Sequence, residues 1–368
     1  MPNSIAQIRV LQIINSLHVG GAEALLKNYV LQMRKNRKMQ VEICVLYSKE
    51  IFKKEIKNKG ISIWDLGLKF KYDLRCIIKL ISLIKRGKYS IVHVHLFPAN
   101  LFGSLASLFL PKNIKFIFSE HNVYNRRRSF KIFKILDTFI YSRYYKIICV
   151  SKQVQVALIE WLPNLQIKSV VISNAVPVSD LSNWSTVKKY DVLFVGRLTK
   201  AKGVDILLKA IKIFKEKYQK EIKAAIVGKG YLEEELKELV IKLGIEKEVE
   251  FLGVRRDIEK FMKSTKLFVL PSRWEGLPLT VLEAMNSGAG IIATKVGGIP
   301  EVIEHEKEGI LISPEDPTAL AGAIAELLKD RELRVKLGIN AYKKVKEKYS
   351  IEVYTKNILG LYKSLLNH

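Results

Sequence analysis

LPSRWEGLPLTVLEAMNSGAGIIATKVGGIPEVI, running from Leu270 to Ile303, carries two carboxylates eight residues apart, Glu275 and Glu283. Between them Gly276, Leu277 and Pro278 form a helix-start signal, with Pro278 in the first helical position. The pattern predicts a helix over Pro278–Asn286, whose first N–H groups have no partner inside the helix and suit a phosphate. Glu275 then stands in the loop ahead of that helix, and Glu283 more than a turn inside it, a turn being about 3.6 residues. One acid reaches the reacting end of a long ligand and the other a hydroxyl further along. The glycine-rich turn that follows, with Gly288, Gly290, Gly297 and Gly298, lets backbone approach closely. This arrangement suits a phosphorylated sugar and not a lone metal ion.

Outward from that stretch the chain alternates strand and helix. Ile- and Val-rich runs at 9–14, 41–47, 91–95, 115–119, 147–150 and 169–172 read as strands. The second half repeats the scheme at 191–195, 224–227, 248–251, 267–270, 290–293 and 309–312. Such alternation predicts an α/β fold of two Rossmann-like domains, with parallel sheets covered by helices on both faces and ligands beyond the carboxyl ends of the strands. The expected domains are 1–176 and 190–348, joined by the Ser-rich, aperiodic linker 177–189. A last amphipathic helix, in residues 349–368, carries Tyr354, Ile358, Leu361, Tyr362 and Leu365 on one face.

The 368 residues suffice for two domains. Three isolated cysteines, Cys44, Cys76 and Cys149, lack the spacing of a disulfide framework or zinc site and fit a reducing cytosol. No signal-peptide pattern opens the chain. The longest apolar run, 96–110, falls short of the roughly 20 residues of a spanning helix and reads as a buried one. The net charge is +26, distributed unevenly. Residues 1–180 hold 29 Lys and Arg against 10 Asp and Glu, a balance of +19, and the remainder 33 against 26, or +7. An anionic membrane surface, a nucleic acid and a merely solvated face all fit that excess. No helix-turn-helix, RNA-recognition or zinc-finger pattern is present, which disfavours nucleic acid.

Two basic amphipathic segments stand out. In 69–88, Leu74, Ile77, Ile78, Ile81 and Ile84 form a stripe, with Lys79, Lys85 and Arg86 elsewhere. In 126–146 the run Arg126-Arg127-Arg128 precedes a stripe of Ile132, Ile135, Leu136, Phe139 and Ile140. Stripes of this kind pack on a sheet more often than on lipid. The basic caps nevertheless make Arg126, Arg127, Arg128, Lys85 and Arg86 candidates for membrane contact.

Several strand ends carry polar motifs in a recognisable order. The Glu-x7-Glu stretch resembles the signature of the family-4 retaining glycosyltransferases, which have the two-domain GT-B fold. His18–Glu23 (HVGGAE) resembles that family's N-terminal glycine loop, Ser119–Asn122 (SEHN) its histidine loop, and Phe194–Gly203 (FVGRLTKAKG) its Arg-and-Lys loop. Ile226–Gly230 and Phe251–Gly253 match two further strand-end glycine turns, so the resemblance covers nearly the whole chain.

The resemblance implies that Arg197 and Lys202 stabilise the charge that builds on a departing nucleoside diphosphate, as fixed cations aimed at a developing anion do. It implies that Glu275 lies near the donor sugar and phosphates, that Glu283 grips the ribose hydroxyls, and that His121 touches the donor sugar. Gly20, Gly21, Gly196, Gly228, Val254, Gly276 and Leu277 then border the donor, and the final helix packs back on the N-terminal domain. His93 and His95 lie on one strand face, but no carboxylate or cysteine sits near them in sequence to complete a metal set. No Asp-x-Asp occurs, and Glu233 replaces the third glycine that a nicotinamide-binding turn at Gly228 would need. The expected activity is a metal-independent, hexosyltransferase-type glycosyl transfer without cofactor. Its expected donor is a UDP-sugar in preference to a GDP-sugar, and its acceptor a glycan or lipid-linked glycan of surface polysaccharide assembly. The expected location is cytoplasmic, peripheral at the inner face of the membrane. A nucleotide-sugar epimerase on the same fold and a catalytically silent nucleotide-sugar-binding protein are the alternatives.

Overall fold

The computed structural model describes residues 8–18, 20–36, 39–48, 52–179 and 188–366. Most of the expected linker, residues 180–187, lies outside the described residues, as does the side chain of Arg126. The chain forms two compact units, Met1–Pro177 together with Ile351–His368, and Val178–Ser350.

The first unit holds a parallel sheet of seven strands among the described residues. They are β1 (Ile8–Ile14), β2 (Met39–Val45), β3 (Ile63–Asp65), β4 (Ile91–His95), β5 (Lys115–Glu120), β6 (Lys146–Cys149) and β7 (Ser169–Val171), in the order β3-β2-β1-β4-β5-β6-β7. Helices α1 (Gly21–Met33), α2 (Lys53–Asn58), α3 (Arg75–Gly87), α4 (Ala99–Ser107), α5 (Ile132–Ser142) and α6 (Lys152–Trp161) alternate with them. β1 and β4 pair with Val10 opposite Ile91, and both strands are buried along nearly their whole length. That burial on two faces is why they read as continuous Ile/Val runs. β3 escapes a sequence reading: it is three residues long, lies at the sheet edge and exposes Trp64.

The second unit holds β8 (Tyr190–Val195), β9 (Ala224–Val227), β10 (Val249–Gly253), β11 (Thr265–Leu270), β12 (Gly290–Thr294) and β13 (Ile310–Ile312), all parallel, in the order β10-β9-β8-β11-β12-β13. Its helices are α7 (Val204–Tyr218), α8 (Glu233–Leu243), α9 (Ile258–Lys263), α10 (Leu279–Ser287), α11 (Ile299–Val302), α12 (Pro317–Lys329) and α13 (Arg331–Lys348). The last helix, α14 (Ile351–Leu366), belongs to the first unit. It packs on α1, where Tyr29 and Tyr354 meet edge to face at 5.7 Å, and Tyr362 accepts a 2.9 Å hydrogen bond from Gln12 of β1.

Each sheet reverses direction once. The chain builds β8, β9 and β10 outward on one side, then returns to lay β11 on the other side of β8. The loops leaving β8 and β11 therefore diverge, opening a crevice at their carboxyl ends. In the first unit the corresponding point lies between β1 and β4.

The two amphipathic segments pack differently from the stripes read in the sequence. The inward face of α3 is Cys76, Leu80 and Ile84, four residues apart, while Leu74 and Ile78 stand in solvent. At about 100° per residue, a two-residue offset turns a side chain roughly 200° away. On α5 the buried positions are Asp137, Ile140 and Tyr141, and Ile132 and Ile135 point outward. The buried acid at 137 was not visible as a core position from hydrophobicity. Among the described residues no helix is long and apolar enough to cross a membrane.

Candidate active site

Two loops meet at the β8/β11 reversal of the second unit. β8 ends at Val195, and Gly196–Gly203 leads through a short 3-10 turn at Lys200–Lys202 into α7. β11 ends at Leu270, and Pro271–Pro278 leads into α10. Lys202, from the first loop, places its Nζ 2.5 Å from Oε1 of Glu275, from the second. The same Oε1 accepts a 2.7 Å hydrogen bond from Ser272, whose carbonyl is in turn held by Thr294 Oγ1 at 2.6 Å. Glu275 is buried and Lys202 nearly so. The pair presents one oriented cation and one carboxylate with little rotameric freedom at the carboxyl ends of the strands.

Arg273 joins the two loops, a role its position in the sequence did not announce. Its backbone N–H donates to Ala201 O at 2.8 Å, and its guanidinium donates to Lys200 O at 2.9 Å. The guanidinium also forms a bidentate pair with Asp205 of α7, both contacts at 2.8 Å, and a further pair with Glu315. Burial raises the Asp205 carboxyl, but the hydrogen bonds and charge of Arg273 more than offset this and hold it below the usual range. Gly203 shows how tightly the loops approach: at φ 63° it faces the carbonyl of Pro271, whose carbon would lie 3.0 Å from an added Cβ. Arg197, two residues after the strand, is exposed, and its side chain makes no hydrogen bond or ion pair with a described residue.

The other expected donor residues lie along the same strand ends. Gly228 follows β9, and its N–H donates to Gly253 O at 2.8 Å. An added Cβ there would collide with Gly196 O, so this glycine has a packing reason whatever it binds. Val254 is half exposed just past β10. Gly276 O accepts from Gly298 N–H at 2.6 Å, and Leu277 is buried. α10 begins one residue later than expected, at Leu279, because Pro278 adopts an extended conformation (φ −71°, ψ 124°) and caps it from outside. Glu283 lies in its second turn, partly exposed between buried Leu282 and Ala284.

In the first unit, Gly20 is the residue before α1 and Gly21 its first residue, at the end of the loop that leaves β1. His121 follows β5, and Glu120 organises its loop. Oε1 of Glu120 accepts the backbone N–H groups of His121 and Asn122, both at 3.1 Å, and Oε2 accepts Tyr141 OH at 2.5 Å and Arg128 Nη2 at 3.0 Å. His93 bridges Tyr362 OH and Ser119 Oγ, both at 2.8 Å, and His95 meets Gln12 at 2.8 Å. The rings of His93 and His95 are 4.3 Å apart, so the two do share a face. Burial lowers the pKa of His93 to about 3 and of His121 to about 4, so both rings are neutral near pH 7. Among the described residues, no three His, Cys, Asp or Glu side chains are grouped as metal ligands.

Two of the residues expected at a membrane are instead committed to the interior. Arg128 is 10% exposed against Glu120 at 5%. Arg127 stacks 3.9 Å from the Phe97 ring and pairs at 3.4 Å with the fully buried Asp137. A basic run in the sequence looks solvated, but here each buried carboxylate recruits one of its guanidinium groups. Lys85 and Arg86, in the last turn of α3, are exposed.

Residues 19–180 match the family model described as Glycosyltransferase Family 4, and residues 182–344 the one described as Glycosyl transferases group 1. An uncharacterized glycosyltransferase of Haemophilus influenzae is 30% identical over 257 residues, covering 68% of this chain and 70% of that protein. The UDP-Gal:alpha-D-GlcNAc-diphosphoundecaprenol alpha-1,3-galactosyltransferase of Escherichia coli is 27% identical over 307 residues, 79% of each chain. Against two archaeal glycosyltransferases that it also matches, the chain spans 44% and 65% of their length. Anabaena Alr3699/HepE, solved in complex with UDP and glucose, superposes with a TM-score of 0.83 at 22% identity over 97% of this chain and all of that one. The fold is GT-B.

Proposed function

The chain belongs to the family-4, group 1 glycosyltransferases, and from that membership we propose that it transfers a sugar from a nucleotide sugar to a glycan acceptor with retention of configuration. The observation that carries this reading is the joining of Lys202 and Glu275 on the two loops of the β8/β11 reversal, where a doubly wound sheet binds its ligand. The reaction breaks the bond from the anomeric carbon to the bridging diphosphate oxygen, and the bonding electrons leave with the diphosphate. Lys202, held by Glu275, and the uncommitted cation Arg197 meet that charge as it forms. Amide groups at the start of α10 add a further positive end. The acceptor hydroxyl bonds to the same carbon, and its proton passes to the leaving diphosphate. Glu283 binds the ribose diol, and Val254 and Gly228 border the nucleoside.

The donor is a UDP-sugar, in keeping with the UDP and glucose held by Anabaena Alr3699/HepE and the UDP-Gal named for the Escherichia coli relative. That relative's diphosphoundecaprenol acceptor supports a lipid-linked glycan acceptor in polysaccharide assembly, with the protein peripheral at the inner membrane face. In this reading Lys202 and Arg197 supply the positive charge that meets the leaving diphosphate, and the transfer is assigned no metal. Release of UDP from a panel of UDP-sugars, with and without a polyprenyl-diphosphate glycan and in excess chelator, tests the reading. UDP release that depends on acceptor supports it. Interconversion of UDP-sugars without acceptor would replace it with epimerisation, and binding without turnover with a silent protein.

A further inference from the structure

The exposed apolar side chains that the amphipathic segments fail to bury are not scattered. Around the start of α3 they are Phe70 (70% exposed), Leu74 (68%) and Ile78 (72%). Around the start of α5 they are Phe130 (55%), Ile132 (71%) and Ile135 (72%). α4 lies between, packed against both α3 and α5. Phe97, just ahead of α4, ties the two groups together. The Tyr72 ring lies 6.3 Å from it, the Lys71 ammonium 5.6 Å above it and the Arg127 guanidinium 3.9 Å above it. Two helix starts therefore present large aliphatic and aromatic side chains on one region of the first unit.

We propose that this region, centred on Leu74, Ile78, Ile132 and Ile135, is a lipid-insertion surface by which the chain seats on an anionic bilayer. Side chains this large and this exposed are a liability in water unless a partner covers them. The charge around them selects the partner. Lys69, Lys71, Lys79, Lys131 and Lys134 are exposed beside the apolar groups. In residues 69–86 and 124–145 the acids are Asp73 and Asp137, and both are already engaged, Asp73 by Arg75 and Asp137 by Arg127 and Trp161. No free carboxylate of these segments opposes an anionic surface, and ammonium groups flanking a shallow apolar ridge match headgroups above acyl chains. The apolar side chains insert, the lysines take the headgroups, and Arg127 and Arg128 hold the scaffold from inside. This assignment rests on the proposed lipid-linked acceptor for its purpose but not for its geometry.

The test is flotation of the full chain with vesicles of 30% phosphatidylglycerol in phosphatidylcholine, against pure phosphatidylcholine, at low and high salt. The chain is expected to float with the anionic vesicles and to be released in part by salt. Leu74→Gln, Ile78→Gln, Ile132→Gln and Ile135→Gln together should cut the bound fraction at least about tenfold, since four apolar insertions are lost. The Tm should hardly change, because all four side chains are already in water. Lys71→Gln, Lys131→Gln and Lys134→Gln together should weaken binding and flatten its salt dependence. Failure of the wild type to float, or flotation of the glutamine variant like wild type, overturns the proposal. So does concentration-dependent dimerisation without vesicles that the glutamine variant abolishes, since the partner would then be a second copy. Acceptor-dependent UDP release in free solution is measured beside it. Flotation without that release counts against the transferase reading, and that release without flotation counts against this surface.

Discussion

Replacing Gly203 with Ala tests whether the meeting of the β8 and β11 loops sets catalysis. Gly203 has φ 63°, and an added Cβ would fall on the carbonyl of Pro271, far inside the 3.0 Å that real Cβ atoms keep. The left-handed backbone alone costs a non-glycine residue about 1–2 kcal/mol. The contact adds a displacement, because the Pro271 loop must retreat by roughly 1 Å or more to restore ordinary separation. That loop carries Glu275, and Gly203 directly follows Lys202, so the 2.5 Å pair between them is what the retreat opens. A misplacement of about 1 Å in a reacting constellation can lower turnover about 10²-fold. Gly244→Ala is the control: its φ is 65°, and an added Cβ has nothing within 4 Å. Both variants should lose about 1–2 kcal/mol in urea denaturation, with Gly203→Ala losing more, and only Gly203→Ala should lose kcat for UDP-sugar turnover. Equal kcat in the two variants would refute the idea that this approach of loops positions the chemistry.

Lys202→Ala and Glu275→Ala should each lower kcat by about 10²–10³, and the double variant should fall far short of the product of the two, because one ion pair is removed either way. Independent, multiplicative losses would show that they do not act as a unit. Glu283→Ala should mainly raise KM for the donor, as loss of a contact that acts alike in ground and transition states does; a pure kcat effect would exchange its role with that of Glu275. Arg128→Met should destabilise the first unit by about 3 kcal/mol in urea, since Glu120 would be left buried without its ion-pair partner; a stability within error of wild type would return Arg128 to the surface. Stability should also fall as pH drops from about 6.5 toward 4, where the unfolded chain protonates histidines that burial keeps neutral in the fold, His93 with a pKa of about 3 and His121 of about 4. That stabilisation is fully present above the unfolded pKa and is lost below it, and His93→Gln should make the slope shallower; an unchanged slope would remove His93 from the titration.

Much of this protein is legible without coordinates. Strand–helix alternation, Ile/Val runs buried on both sheet faces and glycine turns at strand ends are local properties, repeated along the chain, and they determine two parallel-sheet units and the loops at their strand ends. The order of motifs placed Arg197, Lys202, Glu275 and His121 in the loops that follow strands and Glu283 inside the next helix, which is where they stand. Only the tertiary structure decided which of these groups touch. Lys202 and Glu275 are 73 residues apart, and no periodicity states that β11 folds back beside β8. Arg273 joining the two loops, and Glu120 and Asp137 drawing Arg128 and Arg127 inside, are likewise products of packing. Local pattern reports how apolar a helix is on average, not which side the sheet takes. On α3 and α5 the sheet took Cys76, Leu80, Ile84, Asp137 and Tyr141 and left Leu74, Ile78, Ile132 and Ile135 in water. A buried charge needs its counter-charge from a distant segment, and an exposed isoleucine is known as such only once every neighbour has taken its place.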